Sequence, residues 1–139
     1  MGKKASTAGK VFDKMDRLCI WLLAYEPNCP KKYRESLWLP LRRYMDEAQA
    51  NAEMAYLEFD PAEKLRLITD ARKCFRMFKR YETRCDMTGE FRFGKTFSID
   101  MVEYIRDVEG ELNRWFASQK KLLVGHDAAA ASSETPIID

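Results

Sequence analysis

The residues Asp60-Pro61-Ala62-Glu63 constrain this chain more than any other four. The aspartate can accept a hydrogen bond from an otherwise unpaired N–H in the first turn of a helix. Proline suits the first helical position, where its missing N–H leaves no bond unmade, and an acid at the third favours the positive end of the helix. A helix therefore starts at Pro61. Just before it, Leu41, Tyr44, Met45, Ala48, Ala52, Ala55, Tyr56 and Phe59 form a long apolar stripe. Two long helices thus meet across a very short connection, which makes them antiparallel neighbours.

The same reading extends to both sides. Val11, Met15, Leu18, Leu22 and Tyr25 recur at helical spacing from Lys10, and the helix they predict ends before Glu26-Pro27-Asn28-Cys29-Pro30. The second helix starts between Tyr33 and Leu39, with Pro40 tolerable only in its first turn. The third runs to about Arg84. A longer loop, Asp86 to Phe97, precedes a fourth helix capped by Ser98, with Ile99, Val102, Ile105, Val108, Leu112, Trp115 and Phe116 on its core side and Gly125 as its stop. The predicted fold is all-α: an antiparallel up-down-up-down four-helix bundle over residues 10–124, with a flexible basic arm at 1–9 and a disordered tail at 125–139. Six Gly and five Pro in 139 residues fit helices better than a strand-and-turn architecture.

Catalytic chemistry finds little support. The single histidine, His126, lies in the expected tail, so the Glu-x-x-His pairs of a di-iron bundle cannot form, and Ser or Cys nucleophiles lack a base. Glu103, Asp107 and Glu111 make an acidic row at helical spacing, which reads as a solvated face. Gly89 and Gly94 match no nucleotide fingerprint. Cys19, Cys29, Cys74 and Cys85 show no zinc spacing and read as reduced thiols of a cytoplasmic protein, with Cys19 and Cys74 on apolar faces. The longest apolar run, Leu18 to Tyr25, is too short for a bilayer. The chain reads as a binding protein rather than an enzyme, with no cofactor, metal or membrane contact expected.

Charge is the informative feature, although the net value is only +2. On the third helix Arg72, Lys73, Arg76, Lys79, Arg80 and Arg84 fall within an arc of roughly 140°, opposite Leu67, Ile68, Ala71, Cys74, Phe75, Phe78 and Tyr81. No acid stands between Arg72 and Lys79. A second group, Lys31, Lys32, Arg34, Arg42 and Arg43, lies at the first interhelical connection, and Arg80 and Arg84 can extend it. Two uses fit such a ridge: contact with the phosphates of RNA or DNA, or pairing with acidic helices in the bundle or in another subunit. Phe91, Phe93 and Phe97, with Arg92 and Lys95, suit packing over the end of the bundle better than stacking on bases.

The order of these features resembles a known family. Ile20-Trp21-Leu22-Leu23, Pro30-Lys31 with Arg34 opening a long helix, an Ala-rich second helix, and Leu65-Arg66-Leu67 opening a basic third helix carry the likeness. So does Leu112-Asn113-Arg114-Trp115-Phe116-Ala117-Ser118. Over Val11 to Lys121 the set resembles the four-helix-bundle accessory variability determinant proteins of diversity-generating retroelements. It is also similar to bundle proteins encoded in intervening sequences of bacterial ribosomal RNA genes. The resemblance implies a homo-oligomer, a pentamer, without activity of its own. It further implies two partners, a reverse transcriptase and its template RNA, with an RNA–DNA hybrid as a further ligand. Pro40 and the Phe-rich loop depart from that family's pattern.

Overall fold

The computed structural model describes residues 7–92 and 95–134, with side chains for 11–92 and 100–125. Four long helices make up the chain: α1 (Thr7–Tyr25), α2 (Leu39–Leu57), α3 (Pro61–Met87) and α4 (Lys95–Glu134). No strand occurs among the described residues. Among them, no helix is long and apolar enough to cross a membrane.

The apolar spacing places the core largely as expected. Val11, Met15, Leu18, Leu22 and Tyr25 of α1 are buried, with Leu41, Met45, Ala48, Ala52 and Ala55 of α2. They meet Leu67, Ile68, Ala71, Phe75 and Phe78 of α3 and Met101, Ile105, Val108, Leu112 and Trp115 of α4. The small residues of α2 let α3 approach closely, and these two helices share the most extensive contact in the molecule. α4 packs on both α1 and α3. Asp60 accepts from the Glu63 N–H at 2.9 Å, so the start of α3 forms as its four opening residues dictate.

Several expectations need correction. Phe59 and Val102 are exposed, because α2 ends at Leu57 and Val102 lies a residue away from the stripe led by Met101 and Ile105. Cys74 is only half-buried, on the α2 side, whereas Cys29 and Cys85 are in the core. α1 starts by Thr7 and α4 by Lys95, ahead of Lys10 and Ser98. Pro40 does lie in the first turn of α2, but a π turn over Arg34–Trp38 leads into it. The proline ring crowds the carbonyl one turn back, and the widened i→i+5 backbone makes room.

The largest difference is at Gly125, where α4 continues without a break to Glu134 instead of giving way to a disordered tail. Among the described glycines only Gly89 has a positive φ, so Gly125 forms no left-handed stop. The run Ala128 to Ala131 has the highest helix propensity of any residue type and offsets the roughly 1 kcal/mol cost of one helical glycine. Residues 1–6 of the expected arm, Phe93 of the loop, and residues 135–139 lie outside the described residues, as do the side chains of Phe97, Ile99 and His126.

Candidate nucleic-acid interface

α3 is a 27-residue rod held along its whole inner face, so its outer face presents side chains in fixed register. The six ridge cations divide into two classes by what they touch.

Arg72 and Lys79 turn toward α4. The Arg72 Nε donates to the Asn113 side-chain oxygen at 3.0 Å, and its guanidinium lies 4.0 Å from the centre of the Phe116 ring. Burial, then the neighbouring Arg76, holds its pKa below the usual arginine value. Lys79 Nζ donates to Glu109 at 2.7 Å. Both side chains are half-buried, and both fasten α3 to α4.

Lys73, Arg76, Arg80 and Arg84 point outward and are exposed. Among the described residues none has a carboxylate within 4.0 Å, whereas Arg66, further up the same face, is held by Glu63 and Asp70. At 1.5 Å of rise per residue the four span about 16 Å of helix. Arg76 and Arg80 also line a groove of about 480 Å³ with Lys79, Thr83 and Glu109. Like charges at this spacing repel by a few tenths of a kcal/mol per pair, a cost that a bound polyanion would remove.

The second basic group also divides. Arg42 pairs with Glu26, which also accepts from the Trp38 indole at 3.0 Å, and its other nitrogen reaches Asp46 at 4.0 Å. Lys32 bridges to Glu90 at 3.0 Å, just beyond α3, so the first connection does meet the C-terminal end of that helix. Arg34 is half-buried, while Lys31 and Arg43 are exposed. The two groups join through aromatic rings: the Arg84 guanidinium stands 4.6 Å from the Tyr81 centroid, and Tyr81 stacks on Tyr44, beside Arg43, at 5.7 Å. Sequence reasoning placed Tyr81 in the core; it is half-buried and joins the basic surface instead.

The acidic row on α4 is not one solvated face. Asp107 pairs with Lys14 at 3.1 Å, Glu111 is buried against Arg114, and only Glu103 is exposed without an ion pair among the described residues. No group of three metal-ligating side chains occurs among the described residues. Burial pushes the Cys19 thiol up to about 11 and the Cys85 thiol to about 12, so both stay protonated at neutral pH.

No family model, curated protein or solved structure matches this chain.

Proposed function

We propose that this protein is a non-catalytic nucleic-acid-binding subunit, an antiparallel up-down-up-down bundle whose α3 ridge meets the phosphates of RNA. The observation that carries this reading is the row Lys73, Arg76, Arg80 and Arg84: four exposed cations on one rigid face, without acids to neutralise them. The bundle topology is supported by which ends touch, with Lys32 on Glu90 at one end and Gln119 donating to the Pro61 carbonyl at 3.3 Å at the other. The likeness to accessory variability determinants supplies the partners: a reverse transcriptase and its template RNA or RNA–DNA hybrid, met in the cytoplasm by an assembly of several copies. Arg72, Lys79, Arg42 and Lys32 contribute by holding the surface in shape.

The Lys79–Glu109 pair favours one other reading, in which the ridge meets only an acidic face of another protein subunit. Replacing Arg76 and Arg80 with Glu separates the two. Affinity for single-stranded RNA, read by fluorescence anisotropy, should fall by about a hundredfold or more while helicity is unchanged. Unchanged RNA affinity would overturn the assignment, and salt-sensitive oligomers indifferent to RNA would establish the alternative.

A further inference from the structure

One end of the molecule exposes apolar surface that its own chain does not cover. Phe59 is 96% exposed and Leu57 71%, both in the tight turn between α2 and α3. α4 reaches this end where Gln119 meets Pro61, the first residue of α3. Its register against α1 is set by Lys14 on Asp107 and Phe12 on Trp115, which brings Thr7, the first described residue, to about the same level. Beyond Gln119 α4 has therefore outrun both neighbours, yet it continues to Glu134. Its core stripe continues too: Leu112, Trp115 and Gln119 lead one turn on to Leu122, 64% exposed, and the half-buried Leu123.

Neither terminus of the chain can supply the missing cover. Residues 1–6 carry one large apolar side chain, Met1. Glu134 stands about 22 Å along the helix from Gln119, whereas the five residues after it reach at most about 17 Å. Charge points to the occupant. Lys120 and Lys121 are exposed on the overhang, while Glu53 and Asp60 are exposed on the turn, with Glu58 half-buried beside them. The same end thus carries apolar surface with a basic rim on one element and an acidic rim on the other. It is complementary to itself.

We infer that a second copy of this chain docks here about a two-fold axis near Leu122. Leu122 and Leu123 of each copy would lie against Leu57 and Phe59 of the other, and Lys120 and Lys121 against the acids of the turn. A two-fold contact needs such a self-complementary patch. Each copy offers on the order of 500 Å² of exposed side chain, so two reach about 1,000 Å², the size at which specific interfaces begin. This inference stands apart from the nucleic-acid reading, since it uses none of the ridge cations.

Sedimentation equilibrium of the full chain over a concentration series tests it, with Phe59→Ser and a Leu122→Glu, Leu123→Glu double variant beside the wild type. The wild type should associate, and each variant should weaken association by about thirtyfold or more. The substituted side chains lie outside the core, so circular dichroism should report unchanged thermal unfolding for dilute samples. A wild type that stays monomeric at its highest soluble concentration would overturn the inference. So would association that survives either variant. RNA binding of the Phe59→Ser monomer is scored separately, so a failed ridge and a failed interface are told apart.

Discussion

The two ends of the molecule handle their aromatic residues in opposite ways. At the end where the first connection meets the close of α3, Phe91 lies 6.0 Å from Tyr33 and 6.2 Å from Trp38, while Tyr25 stands 5.4 Å from Trp38. The Tyr25 hydroxyl accepts from the Arg92 N–H at 2.9 Å, so even the polar edge of this plug is satisfied. At the other end Phe59 and Leu57 stand in solvent beside a helix that runs on past them. The contrast teaches that burial is a choice made separately at each end. The closed end completes the fold, and the open end leaves the same kind of surface for another molecule.

Breaking the closed end should have the largest effect. Trp38 is fully buried, and Trp38→Ala should cost about 3–5 kcal/mol, measured by urea unfolding. The Phe59→Ser variant of the association test, by contrast, should leave dilute-sample stability within about 0.5 kcal/mol of wild type. A smaller effect sharpens the comparison. The Trp38 indole hydrogen bond, then the charge of Arg42, hold the Glu26 carboxyl below its ordinary value of 4.5. A folded-state pKa lower than the unfolded one gives stability that is fully present above the ordinary value and lost as pH falls through the depressed one. Wild type should therefore lose stability below pH 4.5 more steeply than Glu26→Gln, and parallel curves for the two would remove Glu26 from the closed end.

Much of the fold was legible because helical periodicity is local. Asp60 to Glu63 start α3 as read, and the buried stripes of α1 and α2 follow from spacing alone. Trp38 was not legible, because it sits in a π turn before α2, where no 3.6-residue pattern marks the core side. The long overhang was hidden by Gly125, whose usual role as a stop lost to the alanines after it. The candidate interface was half legible. Periodicity gathers six cations on one arc, but only tertiary packing decides that Arg72 leans on Phe116 and Lys79 on Glu109. Likewise Glu111 vanished from its acidic row because α4 buries that position.

The most direct test of the ridge is the salt dependence of single-stranded RNA binding for wild type and an Arg76→Gln, Arg80→Gln variant. Each cation lost from phosphate contact removes about 0.7 from the slope of log affinity against log salt concentration, so the double variant should be shallower by about 1.4. Arg72→Gln, which removes a side chain committed to α4, should leave the slope near that of wild type. Equal slopes for wild type and the double variant would contradict a phosphate-binding role for the outward face of α3.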